Sequence, residues 1–157
     1  MSRSRLDKID KNILKRLQED GRVTNVELAK FVGISAPPCL RRVRVLQESG
    51  YIKGYFAKVD PAKLGYSVNV YAMVRLNSQA ESDLAEFESY ITDFDVVREC
   101  HMLAGDNDFM LKIVAKSWDG YQVFLSNHLT SAPNVVSVKS SLSIRSSKNL
   151  PGIPIEC

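Results

Sequence analysis

Two consecutive prolines stand between a serine and an arginine-studded apolar run in Ser35-Ala36-Pro37-Pro38-Cys39-Leu40-Arg41-Arg42-Val43-Arg44-Val45-Leu46. A helix accepts a proline pair only in its first turn, where backbone N–H groups have no intrahelical acceptor. The segment is therefore predicted to be a helix that begins at Ser35. Ser35 is the expected N-cap, its hydroxyl accepting from an orphan amide of the first turn. At about 100° per residue, Leu40, Val43 and Leu46 share one side. Arg41, Arg44 and Val45 point the other way, Pro37 and Pro38 lie on that outer side one turn earlier, and Arg42 is on the flank. Gly50 supplies a left-handed stop.

What precedes this helix narrows the fold further. From Asp7 to Asp20, Leu6, Ile9, Ile13, Leu14 and Leu17 recur at helical spacing, and Gly21-Arg22 ends the run. Thr24-Asn25-Val26-Glu27 is a capping box, with hydroxyl and carboxylate three residues apart. It opens a short helix carrying Val26, Leu28, Ala29 and Val32 before a turn at Gly33-Ile34. A long helix, a short helix, a glycine turn and a basic helix make a trihelical unit of the kind that places its last helix in a DNA major groove. A lone helix of this pattern would read as an ordinary surface helix with a solvated arginine face; the two helices before it favour DNA. Candidate contacts are Ser35, Pro37, Pro38, Arg41, Arg42 and Arg44, with Lys53 from the segment that follows. Arginines there reach guanine edges or phosphates, and spacing does not separate the two roles.

Charge supports this division. Residues 1–60 hold thirteen Lys and Arg against seven Asp and Glu, whereas residues 61–157 hold eight against eleven. A basic front and a mildly acidic back suit a polyanion-binding module joined to a second domain. No run of about 18 apolar residues exists, so no membrane span is expected. The N-terminus lacks the apolar core of a signal peptide, which makes a cytoplasmic, nucleoid-associated protein the expectation. Cys39, Cys100 and Cys157 are far apart, and neither His101 nor His128 lies at metal-ligand spacing from them. Neither a disulfide framework nor a metal site is expected, and Cys39 is expected to pack rather than react. There is no Gly-rich phosphate loop, nucleophile elbow or triad, so the chain is not expected to be an enzyme and no cofactor is called for.

Tyr51 to Val59 is aromatic and branched and reads as a wing or connecting strand, with Lys53 and Lys58 available to phosphate. Beyond Asp60-Pro61 the pattern alternates. Val68, Val70, Ala72, Val74 and Leu76 recur with period two. Asp83 to Ile91 is helical, Val96 to Ala104 a strand, Gly105-Asp106-Asn107-Asp108 a turn and Phe109 to Ala115 the return strand. Trp118 to Leu129 is helical, and Val135 to Ile144 is the last strand. The order β-α-β-β-α-β is the ferredoxin-like pattern, so the chain is expected to be α+β: a winged helix-turn-helix plus a ferredoxin-like domain. The expected boundaries are 1–52 for DNA binding, 53–65 for a connecting strand, 66–147 for oligomerisation and ligand binding, and 148–157 for a tail. With both helices on one sheet face, the other, expected to hold Val97 and Leu103, needs a partner, and a second copy is the simplest one.

Over nearly its whole length the chain resembles the Lrp/AsnC (leucine-responsive, feast/famine) regulators. The carriers are Leu6-Asp7, Asp10, Ile13-Leu14, Gly21-Arg22, Glu27-Leu28-Ala29, Ser35 to Leu46 and Gly50 to Tyr55. In the second half they are Glu99-Cys100-His101 and Gly105 to Phe109. The resemblance implies homodimers that assemble up to octamers on double-stranded DNA. It also implies a small effector, commonly an amino acid, at the Gly105–Asp108 loop. Turn amides of that kind hold an α-carboxylate, and Asp106 or Asp108 holds the ammonium. Met102, Leu103 and Ala104 shape an apolar pocket beside Gly105. Read without the resemblance, the four loop residues are first of all those of a plain hairpin turn. Ala104 departs from related chains, which often carry a hydroxyl there, and this puts effector selectivity in question. The expected function is a sequence-specific transcriptional regulator modulated by an amino acid; the alternative is an architectural DNA-binding protein with little effector response.

Overall fold

The computed structural model describes residues 6–156; Cys157 lies outside them. The chain forms one compact unit up to Lys58, builds a second over Val59–Ser147, and returns to the first from Lys148 onward.

In the first unit, local capping chemistry places each helix. Asp7 caps α1 (Lys8–Glu19): its carboxylate accepts the Asp10 N–H at 2.8 Å, and the Asp10 carboxylate accepts the Asp7 N–H at 3.3 Å. The Thr24–Glu27 box opens α2 (Asn25–Val32) as predicted, with the Glu27 carboxylate accepting the Thr24 N–H at 2.9 Å. Gly33 stops α2 in the left-handed region at φ 74°. The basic helix α3 spans Ala36–Glu48. Together the three bury Ile13, Leu28, Ala29, Cys39 and Leu46. The inward side of α3 is rotated from the prediction. Cys39 is wholly buried, whereas Leu40 is 41% exposed. The small thiol packs with Ile13, Leu28 and Ala29, and Leu40 lies about 100° further round. Burial pushes the Cys39 thiol up, so it is unreactive at neutral pH. Thiol reagents are expected to label Cys39 only on the timescale of unfolding, as mass spectrometry would read. Val26, one of the apolar residues of α2, is also exposed.

The Tyr51–Val59 segment joins no sheet among the described residues, contrary to the strand expectation. Its apolar alternation suits a strand, but a strand exists only where a neighbour supplies ladder bonds.

The second unit is the predicted β-α-β-β-α-β arrangement. β1 (Val68–Leu76), β2 (Val97–Met102), β3 (Phe109–Ala115) and β4 (Val135–Leu142) form an antiparallel sheet in the order β2-β3-β1-β4. The helices are α4 (Glu81–Thr92) and α5 (Trp118–Phe124). α5 continues as a wider turn, Leu125–Leu129, where the Thr130 N–H reaches back five residues to the Leu125 carbonyl at 2.9 Å. Val70, Ala72, Val74 and Leu76 meet Phe109, Leu111 and Ile113 on the covered face. Phe87 and Ile91 of α4 and Tyr121 of α5 close this core, with the Phe87 and Phe109 rings 4.8 Å apart. The alternate positions face away: Tyr71, Met73 and Arg75 on β1, Met110, Lys112 and Val114 on β3. Glu99 of β2 meets Lys112 across this face at 2.6 Å, and His101 at 3.2 Å. Val97, expected on the open face, instead pairs with Ile113 and packs on the core. A register shift between Val97 and Glu99 turns the strand over there.

Candidate DNA-contact helix and ligand hollows

α3 is held in place by its neighbours. The Asn25 side chain donates to the Ala36 carbonyl at 2.8 Å, which ties α2 to the first turn of α3. Ser35 has N-cap geometry but caps nothing. The positions that would donate to it are Pro37 and Pro38, which have no N–H, so the expected cap is chemically impossible. The Cys39 N–H is already bonded to the Ser35 carbonyl. The amide cradle with which helix N-termini hold phosphate is thus reduced in α3 to the Ala36 N–H. What it offers a partner is the Ser35 hydroxyl, the ring of exposed Pro37, the half-buried Pro38 and its arginines.

The three arginines divide. Arg41 and Arg44 are exposed, and among the described residues neither forms an ion pair. Arg42 was expected at the DNA surface, but its guanidinium bonds the Asp7 and Asp10 carboxylates, each at 2.7 Å. The Asp10 amide, and then Arg42, hold the Asp7 carboxyl below its ordinary value. Arg42 therefore braces α3 against the capping box of α1. The pairs are partly exposed, so Arg42→Ala is expected to cost the unit at most about 1 kcal/mol in urea denaturation. Lys53 lines a cleft with Leu14, Leu17 and Gln18 of α1.

The second candidate site lies around the 103–108 loop. Asp108 is 6% exposed and knots several strands together. Its carboxylate accepts the Leu76 N–H at 2.7 Å and the Gln79 side-chain amide at 2.9 Å. Its own N–H donates to the Val74 carbonyl, and its carbonyl accepts the Leu103 N–H. The carboxylate expected to hold an ammonium is thus engaged in positioning the end of β1. Asp106 is exposed and makes no such bonds among the described residues.

Two hollows flank the loop. One, of about 280 Å³, is lined by Leu84, Met102, Leu103 and Ala104. The other, of about 610 Å³, is lined by Asp106 and Asn107 with Arg75, Ser137 and Lys139. Gln79, Gly105 and Asp108 belong to both walls. The predicted residues Met102, Leu103, Ala104, Gly105, Asp106 and Asp108 are therefore brought together, but over two adjoining hollows. Gln79, Arg75, Ser137 and Lys139 escaped the sequence reading. Arg75 is visible as a charge out of phase with Val74 and Leu76, but only the β1–β4 register sets it opposite Ser137, with Lys139 opposite Met73. The larger hollow carries both signs of charge, as a zwitterion requires, and the smaller adds the Leu84, Met102 and Leu103 side chains. Among the described residues no group of His, Cys, Asp and Glu is arranged for a metal, and no helix is long and apolar enough to cross a membrane.

Comparison with known proteins gives consistent results. Residues 6–53 match the family model for a winged helix-turn-helix DNA-binding domain, and residues 69–153 that for the Lrp/AsnC ligand binding domain. The chain is 46% identical over 147 residues to the leucine-responsive regulatory protein of Rhizobium meliloti, covering 94% of each. It is 44% identical over 141 residues to the Bkd operon transcriptional regulator of Pseudomonas aeruginosa, covering 90% of this chain and 92% of that one. A solved transcriptional regulator from Neisseria meningitidis in complex with L-Met superposes with a TM-score of 0.90 at 30% identity, covering 95% of this chain and 96% of that one.

Proposed function

The chain belongs to the Lrp/AsnC family of transcriptional regulators, and we propose that it binds an L-amino acid in the paired hollows beside the 103–108 loop and thereby alters the grip of α3 on operator DNA. The observation that carries this reading is the pairing itself: a chamber holding Asp106, Arg75 and Lys139 next to one lined by Leu84, Met102 and Leu103. The cations suit the α-carboxylate, Asp106 the ammonium, and the smaller chamber an unbranched or branched aliphatic side chain. The Neisseria relative with L-Met supports the ligand class. We assign DNA binding to residues 1–52, and ligand binding and assembly to residues 66–147. The protein acts on DNA in the cytoplasm as a homo-oligomer.

A ligand shifts regulation only through its differential affinity for two states. Coupling of about 1–3 kcal/mol changes operator affinity roughly 5- to 150-fold. Calorimetric titration of the full chain against the common amino acids is expected to show binding confined to aliphatic members, with Asp106→Ala abolishing most of it. A panel in which no amino acid binds would overturn the proposal and favour an architectural role.

The open sheet face is the proposed self-association surface, since Tyr71, Met73, Met110 and Val114 lie there on adjacent central strands. Met110→Glu puts a charge at its middle and is expected to weaken self-association at least tenfold. Sedimentation equilibrium indistinguishable from wild type would move the interface elsewhere.

A further inference from the structure

After the second unit is complete, the chain returns to the first and lies along it from Lys148. A segment without regular structure is ordinarily loose unless something ties it down, and here one side chain of α1 grips its backbone. Gln18 of α1 donates its amide to the Ile153 carbonyl at 2.9 Å and accepts the Ile153 N–H at 2.9 Å. One primary amide thus satisfies both main-chain groups of one residue, as a neighbouring β-strand would. The Ile153 side chain is 70% exposed, so what is read is backbone.

We propose that the first unit carries a peptide-docking groove, with Gln18 as its main-chain reader, and that its cognate occupant is the C-terminal segment Pro151-Gly152-Ile153-Pro154-Ile155. Four further features fit this assignment. Gly152 has φ +66°, and a Cβ there would lie 2.0 Å from the Gln18 Oε1 atom. Any side chain at 152 would both strain the backbone and displace the reader. Pro151 and Pro154 flank the pair and restrict the free segment, which lowers the entropy lost on docking. Ile155 is half-buried and borders the same cleft of about 590 Å³, between Leu14 and Leu17 of α1 and the Tyr51–Tyr55 stretch. Upstream, the Lys58 ammonium donates to the Asn149 carbonyl at 3.3 Å.

The consequence is a second covalent route between the two units, separate from the 59–65 connection. The end of β4 is joined through residues 143–148 to a segment clipped onto α1. Because the clip reads main chain, it accepts the same segment from another copy of the chain when its own is absent. This inference does not depend on the amino-acid reading.

The test uses full-length protein. Gly152→Val should release the tail and leave the groove empty. A labelled peptide spanning residues 147–156 is then expected to bind this variant, by fluorescence anisotropy. Binding to the wild-type chain should be at least tenfold weaker, because the tethered tail competes at high effective concentration. The same peptide carrying Gly152→Val should bind the variant at least tenfold more weakly. In the wild-type chain the Ile153 amide should exchange slowly with solvent, and Gln18→Ala should speed that exchange at least tenfold without unfolding α1, since alanine is a strong helix former. Absence of peptide binding, equal binding of the two peptides, equal binding by the two chains, or unaltered Ile153 exchange in Gln18→Ala would each overturn the proposal.

Discussion

Asp108→Ala is expected to destabilise the second unit by roughly 1–3 kcal/mol, because it strands the Leu76 N–H at a buried position. The Leu76 N–H and the Gln79 amide both end on this carboxylate, at 2.7 and 2.9 Å, and Asp108 is 6% exposed. Alanine supplies no acceptor for the Leu76 N–H, whereas the exposed Gln79 amide can turn to water. Asp108→Asn keeps one acceptor and should lose about half as much. Urea denaturation followed by tryptophan fluorescence reads this directly, since the single Trp118 opens α5 in the same unit. Ligand response would fall in Asp108→Ala as well, but through the collapse of the wall shared by both hollows. Asp106→Ala is the discriminating partner: at an exposed site its stability change should stay within about 0.5 kcal/mol. Its ligand affinity should drop by roughly 1.5–3 kcal/mol, as for loss of one charge-assisted hydrogen bond. If Asp108→Ala melted like wild type, the knot assigned to this carboxylate would be wrong.

Arg41→Ala is expected to weaken operator binding by about 1–3 kcal/mol while leaving the fold intact. Arg41 lies on the outer side of α3 and, among the described residues, has no ion-pair partner to lose. The salt dependence tells what it touches. A base contact makes the loss specific to operator sequence, whereas a phosphate contact weakens all duplexes together and lowers the salt slope by about one. Arg42→Ala is the internal control, because its guanidinium is occupied by Asp7 and Asp10. Equal effects at 41 and 42 in an electrophoretic or anisotropy titration would contradict the division of the arginines.

The Thr24–Glu27 box, the Gly33 stop and the proline pair at the start of α3 were all legible, because each acts over three or four residues of one chain segment. The strand alternation of β1 and β3 was legible for the same reason: its period of two shows directly in Val70, Ala72, Val74 and Leu76. The rotation of α3 was not, since Cys39 and Leu40 are both plausible inward residues and only packing against α1 and α2 chooses between them. Ser35 was a different kind of failure. The prolines that rule out its cap stand in plain sight, and the missing N–H groups were there to be counted.

The sites depended on contacts that no spacing encodes. Asp10 and Arg42 are 32 residues apart, Leu76 and Asp108 also 32, and Gln18 and Ile153 135. Element type and order followed from hydrogen bonds and burial patterns that repeat within a turn or along a strand. The role of each charged side chain followed instead from which distant group came within about 3 Å of it. Arg41 and Arg42 are adjacent, identical and both on a basic helix, yet one faces solvent and the other is locked to α1. A carboxylate or guanidinium carries its charge wherever it stands, but only the folded backbone decides whether that charge is met from within the molecule or left for a ligand.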